Sequence, residues 1–236
     1  MKKFLISLFI ALLTVQVASA GTVLGSVEQV NGNVKVKSED SFMKSKVTEG
    51  LEVKKGDLIT TSKNANTVIK LLDGSTLVLD SNSTLHFTSK NMAEQEMGKV
   101  YYKITSRDAK NALKVKTPFA IIGIKGTIFI VDSGEKASVK LKEGVVGIQS
   151  IKEEFELYRK VVQAEFNKYV SEQKSEFEKY KSQQQNEAAL ITKEFDLQAG
   201  NTVSFDGQKV DEKAWTQEDD AEFEYFEKLM ESISNP

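Results

Sequence analysis

The chain has 236 residues, 40% of them hydrophobic and 28% charged, with a formal net charge of −2 at pH 7. That is the balance of a folded globular chain, not of a disordered one. It has no cysteine and one histidine, His86. This excludes disulfides, thiolate metal sites, cysteine nucleophiles and a multi-histidine metal centre, and it leaves any serine–histidine–acid triad a single imidazole.

Lys2 and Lys3 precede an apolar run from Phe4 to Leu13, broken only by Ser7, and Ala18-Ser19-Ala20 follows. A basic start, a short apolar stretch and small residues at the end form a secretory signal, and the run is too short to span ~30 Å of hydrocarbon comfortably. Residues 1–20 are therefore expected to be removed. The mature chain would begin at Gly21, carry no membrane span and reside in the periplasm or outside the cell.

Charge is divided unevenly. Residues 21–150 carry 19 basic and 14 acidic side chains, residues 151–195 carry 8 and 9, and residues 196–236 carry 3 and 11. The tail also has a hydrophobic face, so it is expected to lie across the basic part of the same molecule. The basic residues are spread out and not interleaved with aromatics, which argues against nucleic acid as a partner.

From 21 to 150 the signal is alternation. Val23, Gly25 and Val27 sit two apart, as do Val34 and Val36 after the turn pair Asn31-Gly32. Val68 to Leu72 runs into Asp73-Gly74, and Leu77-Val78-Leu79 returns from it, the pattern of a hairpin. Further strands are expected at Leu85 to Phe87, Val100 to Ile104, Leu113 to Val115, Ile128 to Val131, Val139 to Leu141 and Val145 to Ile148. A single helical turn fits only Met92 to Met97. Turns every 8–12 residues indicate a sandwich, barrel or roll.

Four pieces of this region recur in order: Gly25-x-Val27-x-x-Val30-x-Gly32-x-Val34-x-Val36; Gly56-Asp57-x-Ile59 with Leu71-x-Asp73-Gly74-Ser75-x-Leu77-x-Leu79; Thr117-Pro118-x-Ala120-x-x-Gly123-x-Lys125-Gly126-Thr127-x-Phe129; and Glu143-Gly144-Val145 with the later Leu197-x-Ala199-Gly200-x-x-Val203. In order and spacing they resemble the FecR domain family over most of residues 23–149, with a short return at 197–206. Lys125 stands where that family more often has arginine, and it keeps the charge without the planar fork. The resemblance implies a mainly β fold, a roll or solenoid-like body of short strands, and it does not imply catalysis. The motif residues Gly56, Asp57, Asp73, Gly74, Ser75, Thr117, Pro118, Lys125, Gly126 and Thr127 read as structural, since turn geometry already accounts for glycines and aspartates at such spacing.

From Ser150 to Ala199 there is neither glycine nor proline. The blocks Glu154 to Tyr158, Glu165 to Tyr169 and Glu176 to Tyr180 repeat with their phenylalanines and tyrosines 11 apart. Eleven residues over three turns is close to a straight α-helix. The expectation for 151–195 is a long helical insertion or helical hairpin, a coiled-coil element with an aromatic stripe of Phe155, Tyr158, Val162, Phe166, Tyr169, Phe177 and Tyr180. Such a stripe would pack on itself, on a second copy or on a protein partner.

In residues 196–236 the segments around Leu197 and Val203 read as returning strands. Thr216 with Asp219 opens an amphipathic C-terminal helix whose apolar face holds Phe223, Phe226, Met230 and Trp215. This helix is expected to cover an open end or flank of the β body.

Little here carries chemistry. His86 lies on a strand with no designated acid. Gly123 to Thr127 ends like a phosphate loop but lacks its spacing, and the acids of the tail do not follow a calcium-loop pattern. No cofactor or metal is implied. The function expected is that of a non-catalytic exported FecR-like binding or adaptor module, with a structural or polysaccharide-binding envelope protein as the alternative. The resemblance implies envelope signalling, in which FecR-like regulators pass a signal from an outer-membrane receptor to a sigma factor. Only Met1 to Lys3 precede the apolar run here, so the cytoplasmic segment that would reach a sigma factor is not expected in this chain.

The signal reading has a direct check. The intact mass of the exported protein is expected to correspond to a chain starting at Gly21, and a mass that retains Met1 to Ala20 overturns it.

Overall fold

The computed structural model describes residues 21–105, 112–124, 126–159 and 189–234. In chain order these form β1 (Val23–Asn31), β2 (Val34–Lys37), β3 (Ser45–Lys46), β4 (Glu52–Lys54), β5 (Leu58–Thr61), β6 (Asn66–Leu71), β7 (Thr76–Leu79), β8 (Thr84–Ser89), β9 (Met92–Met97) and β10 (Lys99–Lys103). They continue with β11 (Leu113–Lys116), β12 (Ala120–Ile124), β13 (Ile128–Asp132), β14 (Ser138–Glu143), β15 (Val145–Ser150), β16 (Phe155–Arg159), β17 (Ala189–Thr192), β18 (Glu194–Gln198), β19 (Asn201–Asp206), β20 (Lys209–Ala214) and the helix α1 (Gln217–Ser234).

The strands build two open sheets. One has eleven strands in the order β17-β16-β20-β19-β14-β13-β10-β7-β6-β1-β4, and the other has nine in the order β18-β15-β12-β11-β9-β8-β5-β2-β3. Strands pair as period-2 alternation requires, and their inward residues form one continuous core containing Val27, Ile59, Leu77, Tyr102, Ile122 and Leu197. Tyr102 stacks on Phe129 at 4.7 Å. The Tyr102 hydroxyl donates to Gln95 Oε1 at 2.9 Å, while Gln95 Nε2 donates to the Gly98 and Val131 carbonyls. The buried amide is thereby satisfied on both sides.

The mainly β reading holds, but the roll or solenoid does not. Coils of a solenoid stack their strands in parallel. Here only β9 with β11 and β16 with β20 are parallel, and the other ladders among the described residues are antiparallel. Successive hairpins and crossings between two facing sheets give that result.

The helical reading of 151–195 fails at both ends. Phe155–Arg159 is a strand paired with β17 and β20, and Ala189–Thr192 and Glu194–Gln198 are strands. Phe155 and Leu157 point into the core two apart. Tyr158 lies on the opposite face under the Lys209 ammonium, 4.7 Å from its ring centroid. Phe155 packs edge-on against Phe195, so it belongs to the core and to no exposed stripe. Val162, Phe166, Tyr169, Phe177 and Tyr180 lie outside the described residues, as do residues 1–20 and Lys125. Met92–Met97, read as a helical turn, is strand β9, with Ala93 and Gln95 facing inward.

The C-terminal helix forms where expected, but it covers a sheet face and not a strand edge. Val68, Val78, Tyr101 and Ile130 are successive partners across β6, β7, β10 and β13 on the outer face of the eleven-stranded sheet. Phe223 and Phe226 of α1 bury this row, with Tyr101 stacked on Phe226 at 5.6 Å. The Thr216 amide and hydroxyl both donate to Asp219 Oδ2 at 2.9 Å, capping the helix. The acidic tail does meet basic strands: Lys140 pairs with Asp219 at 2.6 Å and with Glu222 at 2.7 Å, Lys142 with Glu227 at 2.5 Å, and Lys99 with Glu222 and Asp132.

Burial alone would push the Asp219 carboxyl up, but hydrogen bonds from Lys140 and Thr216 outweigh it and hold the group below its ordinary value. Glu222 is likewise lowered, against burial, by Lys140 and Lys99. A carboxylate held low in the folded state contributes stability that is fully present above its ordinary range. That stability is lost as pH falls through the folded value. Trp215, the only tryptophan, stacks on Phe223 at 4.9 Å and reports on the helix. Its emission is expected to shift to the red on acidification below about pH 4, the ordinary carboxylate range. In Lys140→Ala the transition is expected to move to higher pH, and an unchanged midpoint overturns this account.

Candidate functional site

Successive strands reverse direction, so the turns gather at two ends of the sandwich. The turns β4–β5, β6–β7, β8–β9, β12–β13 and β14–β15 share one end. Most of the motif residues collect there: Gly56 and Asp57, Asp73 to Ser75, and Gly126 with Thr127. Thr117 and Pro118 stand at the other end, in the β11–β12 turn.

Asp57, 3% exposed, accepts from the Lys54 amide at 2.8 Å and closes the β4–β5 turn. The Gly56 amide donates to the Phe87 carbonyl at 2.7 Å, and the Phe87 amide donates to the Asp57 carbonyl at 2.9 Å, tying this turn to the end of β8. At the β6–β7 turn the Ser75 amide and hydroxyl donate to the Asp73 carboxylate at 3.1 and 3.0 Å. The Thr105 amide donates to Ser75 Oγ at 3.1 Å, and the Thr105 hydroxyl donates to the Asp73 carbonyl at 3.0 Å. Gly74 sits at φ +84° and Gly126 at φ +108°, conformations that disfavour any side chain. Ile104 and Thr127 exchange backbone hydrogen bonds at 2.9 and 3.2 Å, so the β12–β13 turn leans on the end of β10. At the far end Thr117 Oγ1 donates to the Ala120 carbonyl and accepts from the Ala120 amide, both at 3.0 Å.

Two grooves flank the β6–β7 turn. The first, about 660 Å³, runs from Gly74, Thr105, Gly126 and Thr127 to α1 and carries charges of both signs, including Lys70, Lys103, Glu143 and Glu227. Burial, with Glu227 and Glu143 nearby, raises the Tyr101 hydroxyl above its ordinary value. The second groove, about 490 Å³, opens between the sheets and is lined largely by apolar side chains, among them Val23, Leu24, Leu72, Phe87 and Leu113. Leu72 at its rim is 76% exposed.

A third groove, about 410 Å³, lies at the opposite end beside Pro118. It is lined by Phe119, Phe155 and Phe205, together with Ser150, Lys152 and Gln208. Phe119 and Phe205 are 4.4 Å apart. His86 lies in register with Leu58 and Glu94 on β8 and lines none of these grooves. No cluster of three or more His, Asp or Glu side chains is placed to hold a metal ion among the described residues.

Sequence reasoning found the turn residues, Glu143 among them as part of the Glu143-Gly144-Val145 turn, but missed Thr105 and Leu72. Leu72 had a signal: Leu71-Leu72 breaks the alternation, so one of the two leucines must leave the core. Thr105 had none, because only the pairing of β10 with β7 brings it to Asp73.

The architecture is a two-sheet, mainly antiparallel β protein in which most of the motif turns share one grooved end. Residues 57–147 match the family model described as FecR protein. Similar solved structures include two of "a putative anti-sigma factor" from Parabacteroides distasonis ATCC 8503, with 12% and 13% identity and a TM-score of 0.44 each. Each match covers 66% of this chain and 59% of the other. A structure described as a cell surface anchoring domain matches with 21% identity and a TM-score of 0.27, over 28% of this chain and 87% of that one. No curated protein matches.

The turn residues have a structural consequence that can be measured. Asp57→Ala removes a buried carboxylate that accepts from the part-buried Lys54 amide and is expected to cost about 1–3 kcal/mol. In thermal unfolding followed by circular dichroism that is a fall of several degrees, and an unchanged midpoint would assign Asp57 some other role.

Proposed function

We propose that this chain is a non-catalytic binding module of the cell envelope, a FecR-type adaptor that works in the periplasm or at the cell surface after loss of residues 1–20. The observation that carries this reading is the apolar groove beside the motif turns, with Leu72 exposed at its rim. An exposed leucine over a groove of that kind suits an aliphatic or aromatic side chain from another protein. The FecR match over residues 57–147 supports a place in envelope signalling.

A second reading rests on the groove at the opposite end. Part-exposed Phe119, backed by the buried Phe205 and Phe155, with polar Ser150, Lys152 and Gln208 beside it, offers an apolar face next to hydrogen-bonding groups. That combination suits a sugar ring and favours a polysaccharide-binding envelope protein.

Immobilised mature chain, challenged with envelope extract of the exporting cell, separates the two. The adaptor reading expects a retained protein, lost with Leu72→Asp and lost when the extract is treated with protease. Retention that survives protease, disappears after glycan digestion and depends on Phe119 establishes the polysaccharide reading instead. Turnover of a glycan or peptide that one carboxylate substitution abolishes overturns both.

A further inference from the structure

The outer face of the nine-stranded sheet carries two glycines side by side in the middle of strands. Gly123 of β12 and Gly147 of β15 are register partners, and the row continues to Lys114 on β11 and Asp196 on β18. Strand interiors disfavour glycine, which has no side chain to pack and the most conformational freedom to lose. Neither residue has a positive φ, and the molecule's own packing does not require either. A Cβ on Gly123 would meet only the Gly147 carbonyl at 3.8 Å, and one on Gly147 only Asp196 Oδ1 at 3.6 Å, both ordinary contacts. The pair leaves a trench of about 470 Å³ on the sheet, where another backbone could approach closely.

The walls of the trench carry opposite charges. Lys114 and Lys116 stand on the β11 side, and Asp196 and Glu194 on the β18 side, in two outward rows: Lys114–Gly123–Gly147–Asp196 and Lys116–Ile121–Gln149–Glu194. Lys116 is already paired with Glu94 at 2.9 Å. The Lys114 ammonium and the Asp196 carboxylate have no ion-pair partner among the described residues.

This pattern is its own complement. A two-fold axis lying along the strands, midway between β12 and β15, sets Lys114 over the other copy's Asp196, Lys116 over its Glu194, and Gly123 over its Gly147. We propose that this face is a self-association surface on which a second copy of the chain packs sheet to sheet about that axis. The glycines permit the close approach, and the two mirrored rows of charge set its register. Four strands at ~4.8 Å spacing make the contact small, in the class of transient interfaces. The surface is separate from the grooves of the proposed function and does not depend on them.

Sedimentation of the mature chain over a concentration series at low salt is the test. The mass is expected to rise from one chain toward two, and to fall back as salt is added. Lys114→Glu and Asp196→Lys are each expected to weaken association by about tenfold or more, because each sets like charges opposite one another twice. The double variant Lys114→Glu with Asp196→Lys is expected to restore it. Gly147→Val is expected to abolish association while leaving the thermal midpoint unchanged or higher.

A carbodiimide cross-link gives an independent readout. Lys114 and Asp196 lie three strands apart in one chain, about 14 Å, too far for direct coupling. A Lys114–Asp196 amide in the cross-linked dimer therefore reports the contact between copies. A chain that stays single at all concentrations, a charge swap that fails to restore pairing, or Gly147→Val that lowers stability and leaves the dimer intact each overturns the proposal. So does a face that binds only a different protein.

Discussion

The constraint on which the rest of the fold depends is that the middle of the eleven-stranded sheet is buried on both faces. Successive side chains of β6, β7, β10 and β13 must serve two cores in turn. Ile69, Leu77, Tyr102 and Phe129 pack between the sheets, and Val68, Val78, Tyr101 and Ile130 pack under α1. A strand with no polar face cannot be left at a surface, so the helix that closes the outer face is part of the folding unit. Its acids answer the lysines that flank the apolar row, and burial of the pairs makes each partner necessary to the other. Removing Lys140 would take the lysine from buried Asp219 and leave Glu222 with Lys99 alone.

The same alternation places the motif. Because each strand reverses the last, residues far apart in sequence, such as Asp57, Asp73 and Thr127, come to one end. There they close turns that lean on one another through Phe87, Thr105 and Ile104. Rigid turns are what a binding surface needs around its grooves, since loops held at both ends lose little freedom when a ligand arrives. The structural role of these residues and a recognition role for the surface beside them are therefore one arrangement seen at two scales. Leu72, the exposed residue that would touch a partner, is a neighbour of the motif residues and not one of them, although Leu71, Asp73 and Leu77 line the same groove.

Much of this was legible in the sequence because period 2 and turn chemistry are local. The hairpin at Asp73-Gly74, the strands from Val100 to Ile148 and the capped helix after Thr216 follow from patterns spanning a few residues. The failures came where local pattern and tertiary context disagree. Met92–Met97 contains alanine, glutamate and glutamine, which favour helix, yet its pairing with β8 and β11 and the buried Gln95 network hold it as a strand. Phe155 and Tyr158 fit an eleven-residue repeat equally well as the start of a helix. What fixes them as strand is β20, more than fifty residues later, which pairs in parallel with β16. The grooves were illegible for the same reason: each is lined by several strands that meet only in space.

The two sheets treat their outer faces differently. The eleven-stranded sheet spends large apolar residues on its outer row and covers them with its own helix. Across β11, β12, β15 and β18, the nine-stranded sheet puts lysine, two glycines and an acid in the corresponding place. A helix could not dock there as α1 docks opposite, because nothing rises from the glycines to fill the spaces between its side chains. What such a floor accepts is another flat surface, brought close by the missing side chains and oriented by charge at its margins. A single chain can thus keep one sheet face for its own completion and leave the other open for contact with its like.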